Sequence, residues 1–135
     1  MTTELYWLTL SLLLTAILWL PYIVNRLIEQ GFDTALLDPD GKTESQVGWA
    51  TRLMAAHANA VENLVIFAPL VIVVHLSGTS NTTTSFACIL YFFARLTHAI
   101  VFTLRIPFFR VAAFAGGFIA QLLLIVALLM AQTPI

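Results

Sequence analysis

The sequence predicts an all-α fold, an integral membrane bundle of four helices in up-down order within one domain spanning residues 1–135. Three observations carry this. Of the 135 residues 60% are hydrophobic and 10% charged, with a mean hydropathy of +0.94, far above what a soluble domain of this length shows. Four apolar stretches each supply the roughly 20 residues that a helix needs to cross the hydrocarbon. The four spans nearly use up the chain and the connections between them are few, so successive spans must alternate in direction.

The first span runs from roughly 5 to 27. It opens in MTTELYWLTLSLLL, which has no basic leader, carries Glu4 and contains an apolar run too long for a signal-peptide core, so it is read as retained. Pro21 within it removes a backbone hydrogen bond and kinks the helix. A polar loop over roughly 28 to 47 follows, EQGFDTALLDPDGKTESQ, holding most of the acidic residues. The second span covers roughly 48 to 76 and contains Pro69, which is expected to remove a backbone hydrogen bond and kink this helix in the same way. SGTSNTT is a short turn whose Asn and Thr side chains cap the third span, roughly 83 to 104. RIPFF is a tight hinge into the fourth span, roughly 108 to 131. There AAFAGGF sets Ala112 four residues before Gly116 and Ala113 four before Gly117, a spacing that lets a neighbouring backbone approach closely.

Six basic residues nearly balance seven acidic ones, and no basic run exists that could neutralise a row of phosphates, so nucleic acid is excluded as a partner. Arg26, Lys42, Arg52, Arg105 and Arg110 all flank the first and third connections. The positive-inside rule places those connections in the cytoplasm and both termini away from it. Cys88 has no partner in its chain. His57, His75, His98 and Cys88 have no metal-ligand spacing, and neither a Ser-His-Asp set nor a Gly-rich phosphate loop is present. No metal site is expected.

What needs explaining is polarity inside the spans. Arg52, Asn59, Glu62 and Asn63 are separated by seven, three and one residues, which puts them on one face of the second span. In the third, Tyr91, Arg95, His98, Phe102 and Arg105 step by four, three, four and three, a single stripe. Arg95 lies about 14 Å from the cytoplasmic end at about 1.5 Å per residue. A charge there costs about 2.5 to 3.5 kcal/mol, so Arg95 and Glu62 are expected to face inward, toward each other or a polar cavity. Such a pair could fix helix register with no ligand, or belong to a binding site. Arg110 follows Pro107 at the start of the fourth span, where the helix dipole is already positive. A cation placed there suits either a cytoplasmic anchor or an anion held jointly by the guanidinium and free N–H groups. His57, rotated by about 200° from Asn59, faces another helix or a subunit contact.

These residues resemble the MAPEG family, the membrane-associated proteins of eicosanoid and glutathione metabolism, over nearly the whole chain. AAHANAVENLVIFAPL is similar to the family's second helix through Ala56, Asn59 and Glu62. ARLTHAIVFTLRIPFFR matches its third and fourth helices through Arg95, His98, Pro107 and Arg110. The bacterial branch looks closest. The resemblance implies a homotrimer in a bacterial inner membrane, binding glutathione as co-substrate at each subunit interface near the cytoplasmic side. It further implies transfer of the glutathione thiol to lipophilic electrophiles, or reduction of lipid hydroperoxides. Asn59, Glu62 and His98 would hold the peptide backbone and amino group, Arg26 the carboxylates, and Arg95 would support Glu62 or line the pocket. Arg110 would face the sulfur as the catalytic residue. The chain departs from the family pattern at three positions. Ala55 stands where many members have an arginine, for which Arg52 one turn earlier could stand in; Phe102 replaces a tyrosine but keeps its ring; Val111 follows Arg110 where one branch uses serine.

Two other functions fit the sequence. A non-catalytic lipid-binding or accessory protein of the same fold would accommodate Ala55 and Phe102. A small proton-coupled exporter would use a single intramembrane glutamate, although a deep arginine beside Glu62 would hold it ionised.

Overall fold

The structure, a computed structural model, describes residues 1–38, 41 and 45–132. Lys42, one of the five residues used to orient the chain, lies outside the described residues. The helices are α1 (Thr3–Ile17), α2 (Trp19–Gln30), α3 (Phe32–Leu36), α4 (Gly48–Leu76), α5 (Thr82–Thr103) and α6 (Pro107–Ala131). No strand occurs among the described residues. Four segments are long and apolar enough to span a bilayer, Thr3–Gln30, Gly48–Leu76, Thr82–Thr103 and Pro107–Ala131.

The first span is not one helix. It breaks at Leu18 into α1 and α2, where the Pro21 ring crowds the carbonyl of Ile17 four residues earlier and supplies no N–H to it. Pro69, in contrast, lies inside an α4 that continues on both sides.

Each end of α5 is tied to another span. At its start Asn81 and Thr84 form a reciprocal capping box, satisfying N–H groups that would otherwise lack partners. Glu4, only 2% exposed, then accepts hydrogen bonds from Thr84 Oγ1 at 2.6 Å and Ser85 Oγ at 3.0 Å. A carboxylate is thus held at the positive end of α5 by the start of α1. At the other end Ile106 N–H donates to the Val101 carbonyl at 2.9 Å and Arg105 N–H to that of Phe102 at 3.2 Å, a Schellman closure. Arg105 takes the left-handed conformation with φ 60°, the only such non-glycine among the described residues. Arg52 Nε donates to the Thr103 carbonyl at 2.9 Å, which places a cation at the negative end of α5.

Apolar packing fills the half of the bundle near the α4–α5 turn, where Leu8, Phe67, Val71, Val74, Ala87, Cys88, Ala120 and Leu124 are buried. Phe67 and Tyr91 stack there with centroids 3.6 Å apart and planes at 4°. The half near the α5–α6 hinge is different, since small apolar residues there enclose the buried side chains of Arg95 and His98.

Candidate functional site

Arg95 is buried, 4% exposed. Its Nη1 donates to Asn59 Oδ1 at 3.0 Å and its Nη2 to the carbonyls of Ala113 at 3.3 Å and Phe114 at 3.4 Å. The guanidinium can come this close to α6 because residue 117 is glycine: a Cβ there would lie 2.6 Å from Nη2. Small residues in α6 therefore serve two purposes. Gly116 brings the helix against Ala94, and Gly117 admits a charged side chain.

The expected Glu62–Arg95 pair does not form. Arg95 meets the oxygen of Asn59 instead, and Glu62, about 60° further round α4, is exposed and has no ion pair among the described residues. Among the described residues a buried cation is thus held by neutral acceptors only, and Arg95 Nε and the nearby Tyr91 Oη are buried without partners there. Polar contacts continue along α4. Asn63 Nδ2 donates to the Asn59 carbonyl at 2.8 Å, and Gln121 Nε2 to the Asn63 carbonyl at 3.2 Å. Sequence reasoning missed Gln121, although it is the one polar side chain between Arg110 and Gln132 and its amide in so apolar a span was the signal.

From Arg95 a row of rings, with the His98 imidazole between two phenylalanines, leads toward the hinge and ends at a second arginine. Arg95 Cζ lies 5.6 Å from the Phe114 ring centre; Phe114 is 6.4 Å from His98, and His98 is 5.5 Å from Phe102. Arg110 Cζ completes the row, 5.3 Å above Phe102. His98 is 5% exposed, whereas Arg110 is exposed. Position 102 therefore has a role that needs no hydroxyl, because its ring face holds the Arg110 guanidinium by a cation–π contact. Arg110 sits in the first turn of α6, whose N-terminus has no side-chain cap. Arg110 and the uncapped N–H groups thus belong to the same end of α6.

A sequence model of the MAPEG family matches residues 5–130. The chain belongs to the MAPEG family. Comparison with the curated proteins and with the solved structures gave no match. Family membership and four spanning helices make this an integral, multi-pass membrane protein of the group named for eicosanoid and glutathione metabolism.

In this MAPEG protein the remaining candidates are engaged elsewhere. Arg26 pairs with Asp38 at 2.7 Å and its Nε lies 3.5 Å from Gln30 Oε1. Arg52 serves the α5 C-terminus, as described above. The structure thus joins Asn59, Arg95, His98, Phe102 and Arg110, and leaves Glu62 on the outer side of α4. His57 faces another helix, with Nδ1 2.7 Å from Tyr22 Oη. That contact fastens α2 to α4 below the break at Leu18.

Proposed function

We propose that this MAPEG protein is a glutathione-dependent transferase or peroxidase acting on lipophilic electrophiles or lipid hydroperoxides. The observation that carries the reading is Arg110, seated over Phe102 beside buried His98 at an uncapped helix start. A free thiol has a pKa of about 8.5, and each unit of depression needs about 1.4 kcal/mol of preferential thiolate stabilisation. A guanidinium and a helix N-terminus acting together are suited to provide it. The thiolate sulfur would then bond to the electrophilic carbon of a substrate entering from lipid as the leaving group departs. With a hydroperoxide it would attack the terminal oxygen, forming an S–O bond as the O–O bond breaks and the alcohol leaves, and a second glutathione thiol would displace water from the sulfenic acid to give glutathione disulfide.

Asn59, Glu62 and His98 would hold the peptide portion, and Arg26 or Arg52 the carboxylates. A homotrimer gives Glu62 a purpose: an exposed carboxylate within a span requires a partner, which the ligand amino group or a neighbouring subunit supplies. The hinge end would face the cytoplasm of a bacterial cell, with both termini on the far side of its inner membrane.

Titrating the detergent-solubilised protein with glutathione while following thiolate absorbance tests ligand and activation together. Arg110→Ala should remove the thiolate signal more than it weakens binding. Absence of both binding and signal in the wild-type protein would end this reading. A non-catalytic accessory role is favoured by Ala55 and by Arg52, whose Nε is already committed to Thr103. Retained lipid with no glutathione-dependent turnover would support that role. The exporter reading gains from the finding that Arg95 does not neutralise Glu62, yet it leaves the Arg95–His98–Arg110 row without a purpose. Proton-driven efflux in vesicles, lost in Glu62→Gln, would establish it.

A further inference from the structure

The bond between Arg95 and Asn59 fixes more than a helix contact. A guanidinium carries only donors, so Arg95 Nη1, 3.0 Å from the Asn59 side chain, must face its oxygen. Asn63 Nδ2, 3.4 Å from the same oxygen, is also a donor and makes the same demand. Turning the amide over would set its NH2 against two donors at once. The orientation of Asn59 is therefore determined by chemistry, and among the described residues its Nδ2 has no partner. Arg95 in turn has little freedom, because the Ala113 and Phe114 carbonyls hold Nη2 and the surface of Gly117 receives the guanidinium.

We infer that Arg95 is a positioning residue: it locks the Asn59 amide oxygen inward, so that the site meets its ligand with an N–H donor and selects a carbonyl or carboxylate acceptor. Arg95 itself does not touch the ligand. The inference rests on the glutathione reading for the identity of that ligand, whose peptide carbonyls and carboxylates are acceptors of the required kind. It departs from that reading in moving Arg95 from the pocket wall to the support behind Asn59.

Asn59→Asp separates the two roles of the residue. It offers Arg95 a carboxylate, keeping and strengthening the lock, while it removes the donor. On full-length protein in detergent, Asn59→Asp should unfold in SDS at or above the wild-type midpoint and well above Asn59→Ala. Its glutathione affinity should nevertheless fall by about 10- to 100-fold, the range for losing a hydrogen bond to a charged group. Arg95→Met should raise the glutathione KM while largely keeping kcat. Arg95→Lys, which retains a donor, should restore part of the KM. Wild-type affinity in Asn59→Asp, or an Asn59→Asp midpoint no higher than that of Asn59→Ala, would overturn the inference. So would binding and stability falling in parallel across all four variants, which would mean a purely structural contact. If the wild-type protein bound no glutathione, the functional reading would fail separately, and the order of the two Asn59 midpoints would still decide whether Arg95 orients the amide.

Discussion

Replacing Gly117 with alanine should destabilise the protein, whereas the same change at the adjacent Gly116 should not. A Cβ on residue 117 would lie 2.6 Å from Arg95 Nη2 and 2.9 Å from both Cζ and Nε, so the guanidinium must leave its seat. Its bonds to Asn59, Ala113 and Phe114 would go with it. Hydrogen bonds between membrane helices average about 0.6 kcal/mol and reach about 1.7 kcal/mol. Losing these three therefore costs about 2 to 5 kcal/mol. Against this stands about 1 kcal/mol of helix propensity gained on going from glycine to alanine, leaving a net loss of about 1 to 4 kcal/mol. At Gly116 the new Cβ would rest 3.4 Å from Ala94 Cβ, a close but tolerable contact, so stability should hold or rise by up to about 1 kcal/mol. Equilibrium unfolding in mixed micelles of mild detergent and SDS, followed by far-UV circular dichroism, reads both. If Gly117→Ala proved as stable as Gly116→Ala, the seat proposed for Arg95 would be wrong.

Substitutions at three further positions probe the frame around the site. Arg105→Gly relieves a left-handed residue worth about 1 to 2 kcal/mol at the cost of added unfolded-state freedom, and should raise the unfolding midpoint slightly; a clear fall would assign the side chain a stabilising contact. Glu4→Ala deprives Thr84 and Ser85 of their shared acceptor and should cost about 1 to 3 kcal/mol. Glu4→Gln keeps a carbonyl oxygen and should cost less, so equal losses would argue against hydrogen bonding as the cause. Phe67→Ala, which empties a fully buried position stacked on Tyr91, should cost about 3 to 5 kcal/mol by the same assay. A loss below about 1 kcal/mol would mean that the core closes over the gap.

Hydropathy and helical period made the spans and the polar stripes legible, because both follow from chain-local rules. Partnership was less accessible. Asn59 and Glu62 differ by about 60° around α4, and only the way α4 crosses α5 decides which of them Arg95 meets. The break at Leu18 was visible as Pro21, but the proline acts on the carbonyl four residues upstream, so the effect appears away from its cause. Glu4 stood out only as an unusual residue near the start of the chain, since its partners Thr84 and Ser85 are some eighty positions away. Arg105 gave no sign of its conformation because the hinge has no glycine, the usual marker of a Schellman closure. At Gly117 a neighbouring backbone was expected to approach, and what approaches is the Arg95 guanidinium.

The acceptors that satisfy Arg95 also bear on how the chain enters its membrane. They lie on α4, made before α5, and on α6, made after it, so α5 cannot quench its own charge as it leaves the ribosome. It is also the least hydrophobic of the four spans, with a peak mean hydropathy of 1.6 against 2.4 for α6. The short hinge between the two delivers the Ala113 and Phe114 carbonyls soon after Arg95 itself. Biogenesis thus favours α5 and α6 partitioning into lipid as one hairpin, the greasier helix carrying its charged neighbour into place.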